Sequence, residues 1–188
     1  MGAAAPAAAA AVRTALRRAA RALLGGYRLN WILRSPDRAR PTALPAGLSV
    51  RPPAAADGGY VLAESGEPRC EAFFVGPDGY ADAAIWPLST GEVALIEIVT
   101  RPDSRGRGLA PTLIAAATPI ALAEARAGRA ICFIWWTHRA SLRAFRRAGW
   151  RRIGFSVEVT TRGGRTWRRR WPLTWRGRSR TPSAPRWR

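Results

Sequence analysis

Apolar and polar positions change rhythm several times along this chain. Between residues 12 and 27, Val12, Leu16, Ala20, Leu23, Leu24 and Tyr27 recur at helical spacing, with Arg13, Arg17, Arg18 and Arg21 mostly opposite them. That pattern predicts an amphipathic helix, with Gly25-Gly26 as its natural stop. Residues 27–33 fit either a short strand or a helical continuation. Residues 35–46 are rich in Pro and Arg and read as a linker. Four β-type runs follow, at 48–51, 59–64, 70–75 and 80–86, separated by Gly, Pro and Asp turns. They suit an antiparallel meander, and Gly76-Pro77-Asp78-Gly79 makes a hairpin turn.

At residue 93 the pattern becomes continuous. Val93-Ala-Leu-Ile-Glu-Ile-Val-Thr100 is rich in Val and Ile and predicts a buried strand. Pro102 and Asp103 break it. Residues 109–127, rich in Ala and Leu, predict a helix with Pro119 bending it and Gly128 stopping it. Between strand and helix stands Arg105-Gly106-Arg107-Gly108. Strand, glycine-bearing turn and helix start in that order form a phosphate-holding device. The glycines let backbone approach the ligand, the first helical N–H groups point at the anion, and arginines add charge. A P-loop is excluded because the chain contains no lysine. The dinucleotide pattern G-x-G-x-x-G is excluded because Gly106-Arg107-Gly108 runs into Leu109-Ala110-Pro111. Further on, residues 130–136 predict a strand, 152–161 another, Arg162-Gly163-Gly164-Arg165 a hairpin turn, and 166–171 the return strand.

Arg105-Gly106-Arg107-Gly108-Leu109-Ala110 matches R-x-x-G-x-A, the pyrophosphate signature of the GCN5-related N-acetyltransferases, the GNAT superfamily. After the 130–136 strand, Ser141, Phe145, Arg147, Gly149 and Trp150 stand where that superfamily commonly has Ser/Ala, Tyr, Lys, Gly and Phe. Two motifs in the right order, separated by one helix and one strand, resemble the acetyl-CoA-binding half of a GNAT domain over residues 93–154. The resemblance implies an α/β (α+β) fold with a mixed, mostly antiparallel central sheet flanked by helices, here with an N-terminal amphipathic helix added. The segmentation expected is an Ala/Arg-rich helical extension at 1–36, a linker at 37–47, the acyltransferase-like domain at 48–172, and a basic Trp/Arg tail at 173–188. Superfamily members usually carry one or two helices between their first two strands, and the Pro- and Gly-rich stretch 52–58 leaves little room for them.

Composition changes the picture in two ways. The net charge of +19 is carried on its positive side by arginine alone, so part of it reflects coding bias in a GC-rich genome. It still attracts phosphates, nucleic acid and anionic lipid. Cys70 and Cys132 are too few for a disulfide framework or a zinc site, which favours a reducing compartment and a cytoplasmic location. No apolar run approaches the length of a membrane span. The 12–27 helix reads as an accessory packing element, a basic interfacial membrane helix, or a targeting segment. The Arg/Trp tail suits a solvated end, an anionic membrane surface or single-stranded nucleic acid.

What the resemblance implies for chemistry is transfer of an acetyl group from acetyl-CoA, or another acyl-CoA as co-substrate, to an amine of a small molecule or peptide. Val99 and Thr100 would hold the pantetheine and polarise the carbonyl. Arg105, Gly106, Arg107, Gly108, Leu109 and Ala110 would hold the pyrophosphate. The usual proton donor is a tyrosine, and Phe145 stands in its place. Three groups are candidates to supply acid–base function. Glu97 in the central strand can serve as general base or simply pair with an arginine. His138, the single histidine, belongs to the residue type that ordinarily titrates near neutral pH, and can equally cap a helix. Ser141 can hydrogen-bond the ligand or cap. Cys132 reads as core. The alternative from another class is a non-catalytic acyl-CoA-binding protein, docked on membrane or nucleic acid by its basic ends. A homodimer is compatible with either.

Overall fold

β-branched and aromatic side chains at every second position build strands that share one sheet. The computed structural model describes residues 24–37, 39, 42–53, 59–80 and 85–173. Its strands are β1 (Leu24–Arg34), β2 (Leu48–Arg51), β3 (Tyr60–Glu64), β4 (Glu67–Val75), β5 (Glu92–Thr100), β6 (Arg129–Trp135), β7 (Arg151–Thr161) and β8 (Thr166–Pro172). They form one eight-stranded sheet in the order β2-β3-β4-β5-β6-β1-β7-β8. Every neighbouring pair is antiparallel except β5 with β6. Two helices, α1 (Leu109–Glu124) and α2 (Arg139–Arg147), contribute Leu109, Leu113, Ile114, Ala117 and Phe145 to the core that covers one face of the sheet. On the opposite face a smaller cluster of Ile32, Ile85 and Ile131 lies under Trp86 and Leu88. This is a mixed α/β architecture with a mostly antiparallel sheet, as the sequence predicts.

Helix α1 begins with Gly108 at φ 79°, a left-handed conformation that favours glycine. It runs through Pro119, next to which Thr118 Oγ1 donates back to the Ile114 carbonyl. Its end differs from expectation. The helix stops at Glu124, four residues before Gly128, because Arg126 turns left-handed at φ 49° and the Ala127 N–H caps the Leu122 carbonyl at 2.8 Å. Helix α2 ends at Arg147, and Gly149 just beyond it, at φ 83°, folds Trp150 back so that its ring meets Phe145 edge-on with centroids 4.9 Å apart.

Two further expectations are corrected. Residues 24–34, placed by sequence in the N-terminal extension and partly in its helix, are strand β1, wedged between β6 and β7. Tyr27, Leu29, Trp31 and Leu33 alternate with Arg28, Asn30, Ile32 and Arg34, so both faces are used. The rest of the expected helix, residues 12–23, lies outside the described residues, as do residues 174–188 of the tail. Residues 80, 85 and 86 of the expected 80–86 strand are not in a strand, and 81–84 lie outside the described residues. There Tyr80 and Ile85 are buried individually, which gives apolar positions without a ladder. Among the described residues no helix is long and apolar enough to cross a membrane.

Candidate functional site

The site originates in how briefly β5 and β6 pair. Their parallel ladder covers only Glu92–Arg129, Val93–Ala130 and Ala94–Ile131. Past Ala94 the strands separate. β5 stays bonded to β4 as far as Thr100 opposite Cys70, so its other edge, from Leu95 to Thr100, has no ladder partner. A bulge opposite Phe73 and Phe74, with Ile96 as the extra residue, reverses the strand's facing there. Burial records it: Val93 to Leu95 are buried, whereas Ile96, Glu97 and Val99 are exposed.

A cleft of about 720 Å³ opens over the ends of the separated strands. One wall is the turn from Thr100 into α1; the other is α2. Gly106 and Gly108 both lie at φ 79°, and a Cβ built on either meets no atom within 4 Å. Pro111 stands third in α1 and has no N–H, so the free amides of the first turn belong to Leu109 and Ala110. Arg105 lies across the turn with its Nε donating to the Thr100 carbonyl at 3.3 Å. From the facing helix Arg143 and Arg147, one turn apart, reach the same cleft. Three guanidinium groups and a helix N-terminus line it, and among the described residues no carboxylate does. Such a lining selects a polyanion.

A smaller hollow of about 210 Å³ lies between the two strands and contains Glu97, Cys132 and Trp135. Ile98, His138, Ser141 and Phe145 line both spaces. Ser141 Oγ is 3.1 Å from His138 Nδ1. Neither residue caps α2 with its side chain. Cys132 is fully enclosed, and burial pushes its thiol well above the ordinary range, which disfavours a nucleophilic thiolate. No tyrosine lines either space.

Of the residues singled out by sequence, Val99, Thr100, Arg105, Gly106, Gly108, Leu109, Ala110, His138 and Ser141 line the large cleft, and Glu97 lines the smaller one. Arg107 does not line either. Its guanidinium turns out to β3, where it pairs with both carboxylate oxygens of Glu64. Arg69 joins Glu64 at 3.5 Å and Asp103 at 3.7 Å. Arg107, hydrogen-bonded to Glu64, holds the Glu64 carboxyl below the usual carboxylate range. The Ser104 hydroxyl, which donates to Asp103 at 2.9 Å, and the arginines near it do the same for Asp103. Arg107 is thus a clasp that fastens the turn to the β3–β4 hairpin. Sequence reasoning passed over Arg143 and Arg147 as site residues; their i, i+4 spacing, which stacks them on one helix face, was the available signal.

Strands that part after three residues, a glycine turn and a helix start at the parting define a recognisable architecture. The fold is GNAT-like. No family model matches the sequence, and no curated protein matches it. Among solved structures, the chain is similar to a GNAT-family protein from Novosphingobium aromaticivorans, with a TM-score of 0.52 at 16% identity. That match covers 72% of this chain and 65% of the other. It is also similar to a GCN5-related N-acetyltransferase from Sphaerobacter thermophilus, with a TM-score of 0.48 at 15% identity, covering 79% and 54%. The chain therefore spans somewhat less than two thirds of the length of the first of these GNAT-family structures.

Proposed function

We propose that the protein binds an acyl-CoA, acetyl-CoA being the simplest, and transfers its acyl group to an amine. The observation that carries this reading is the cleft that sets three arginines and the α1 amides beside the unpaired edge of β5. Pyrophosphate oxygens would accept from the backbone N–H groups between Gly106 and Ala110 and from Arg105. Arg143 and Arg147 suit further phosphate. An extended pantetheine arm, itself rich in amides, would pair with the free edge at Val99 and Thr100 in place of the missing strand.

The thioester carbonyl then lies toward the hollow that contains Glu97. The amine must attack as a free base: its nitrogen lone pair forms the C–N bond, the carbonyl electrons move to oxygen, and collapse expels the thiolate. Glu97 is placed to take the proton that the amine gives up. Backbone N–H groups of the β5 edge stabilise the oxyanion. Phe145 carries no proton, so His138 with Ser141, which line both spaces, are the groups available to protonate the thiolate. The acceptor has a carboxylate and the apolar surfaces of Ile96 and Trp135 to meet, which suits a cationic amine with an apolar body.

Titration of acetyl-CoA into wild type and into Arg105→Ala/Arg147→Ala tests binding, and thiol detection of released CoA across a panel of primary amines tests transfer. Micromolar binding weakened at least tenfold by the arginine substitutions, with release dependent on an amine, supports the reading. Silence toward acetyl-CoA and longer acyl-CoAs in folded protein overturns it. Binding without turnover for every amine favours a non-catalytic acyl-CoA carrier, the reading that Phe145 in the proton-donor position also supports.

A further inference from the structure

Among the described residues, helices α1 and α2 cover the sheet from β2 to β6 and the end of β1 at Leu33, and leave most of the same face of β1, β7 and β8 uncovered. Strand register shows what stands there, because residues directly opposite in a ladder project from one face. Three rows run across the strands. Tyr27, Val159 and Trp167 form one, Leu29, Val157 and Arg169 the next, and Trp31, Phe155 and Trp171 the last. The Trp31 and Phe155 rings meet at a tilt of 58° with centroids 4.8 Å apart. Tyr27, Trp167, Trp171 and the adjoining Leu173 are 54%, 53%, 42% and 49% exposed, which is unusual for four large apolar side chains on one small area.

Charge on this face has one sign. Arg152 lies over the Trp31 ring at 4.3 Å, and Arg169 lies 5.9 Å from the Trp171 ring. The acid of β7, Glu158, points to the other face, where Arg168 and Arg28 bind it. Among the described residues the amphipathic division is therefore sharp: ion pairs on one side of the β1–β7–β8 ribbon, aromatic rings and arginines with no carboxylate partner on the other. Beyond Leu173 the sequence continues in the same vein, with Trp175 and Trp187 among five arginines and no acid.

We infer that this open face docks on an anionic lipid surface. Indole rings favour the headgroup level of a bilayer, where an apolar body meets water, and arginine stems lie along apolar surface while their guanidinium groups reach lipid phosphate. The aliphatic ground between the rings, Leu29, Val157 and Val159, suits acyl chains. It offers no donor or acceptor to a nucleic-acid base, which argues against an RNA platform built by stacking alone. The inference concerns a surface that borders the proposed acceptor hollow only at Tyr27, whose ring lies 6.5 Å from that of Trp135, and the substitutions that test it, at Trp167, Trp171 and Arg169, lie outside both spaces.

The test is co-sedimentation of the full chain with phosphatidylcholine vesicles, with and without a quarter of phosphatidylglycerol, at low and high salt. Wild type is compared with Trp167→Ala/Trp171→Ala and with Arg169→Glu, the latter an exposed change on an edge strand that guards against misfolding. The expected result is binding to the anionic vesicles alone, weakened by salt. The tryptophan pair should reduce it about tenfold or more, and Arg169→Glu by more than the roughly fivefold that loss of one basic contact brings, because the new acid is also repelled, with acetyl-CoA affinity unchanged. No vesicle binding by wild type overturns the inference. So does full binding by both variants, which would assign the attraction to residues past 173. Loss of single-stranded RNA binding or of a dimer in the tryptophan variant, with vesicle binding intact, would assign the face to those partners instead. A large fall in melting temperature without any change on vesicles would mean that the chain covers the face itself.

Discussion

Gly108 offers the cleanest way to separate folding from ligand binding at the cleft. It lies at φ 79°, ψ 13° and starts α1. A Cβ there meets no protein atom within 4 Å, so Gly108→Ala introduces no collision, only left-handed strain of roughly 1–2 kcal/mol. For a chain of this size that lowers the melting temperature by about 2–8 °C. The open space beside Gly108 is cleft, however, and a methyl group would hold a phosphate off the turn amides. Losing one or two hydrogen bonds to a charged acceptor, each worth about 1.5–3 kcal/mol, weakens acetyl-CoA by roughly ten- to a hundredfold or more. Gly108→Asn sharpens the contrast, because asparagine tolerates the left-handed region. Its melting temperature should recover most of the loss while its affinity does not. Calorimetric titration and thermal melts on the three proteins decide. Wild-type affinity in both variants would refute the phosphate cradle. Affinity that merely tracks melting temperature would refute the claim that the two effects are distinct.

Phe145→Tyr places a phenol where both spaces meet, against the edge of Trp150; amine-dependent CoA release should be maintained or rise, and a loss of more than tenfold in well-folded protein would show that the position tolerates no polar group. Glu97→Gln should lower kcat/KM by about a hundredfold, as removal of a general base does, with acetyl-CoA affinity retained; an unchanged kcat/KM would refute the role. Gly154→Ala sets a Cβ 2.7 Å from the Trp86 ring and 3.1 Å from the Trp171 carbonyl; overpacking of this kind costs about 1–3 kcal/mol, read as a lower urea midpoint. The Arg107 clasp has a signed pH dependence. Its carboxylates titrate lower in the folded chain than unfolded, so their stabilisation is complete above the ordinary carboxylate range and is lost as pH falls through it and below. Glu64→Gln should flatten that acid-side decline in melting temperature, and an unaltered decline would place the acid sensitivity elsewhere.

Local signals carried most of the strand and helix positions. Val93–Thr100, the α1 segment and the hairpin around Arg162-Gly163-Gly164-Arg165 each declare themselves through apolar runs and turn residues close by. The failures share a cause in long-range structure. Residues 27–33 left a short strand and a helical continuation both open, and only the pairing with β6 and β7 decides for the strand. Arg107 stands at an unspecified position inside the motif and offered the same charge as Arg105 two residues away. What turned it away was Glu64 on β3, a partner that no local window contains. The bulge at Ile96 is likewise invisible in V-A-L-I-E-I-V-T, because it is defined against Phe73 and Phe74.

Strand β1 has a consequence for how the chain assembles. β6 and β7 are not paired; β1 joins them, so the β7–β8 ribbon is attached to the rest of the sheet through the first described strand of the chain. During synthesis β1 emerges first and finds neither neighbour. Trp31 waits for Ile134, and Leu24 waits for Thr161. The meander β2–β5 can collapse with α1 meanwhile, but the sheet closes only when nearly the whole described chain is out. Pairings so distant in sequence make folding slow and leave an unpaired, tryptophan-bearing strand exposed in the interval. Refolding should show its late phase at β1, and a chaperone that shields extended apolar segments should raise the yield.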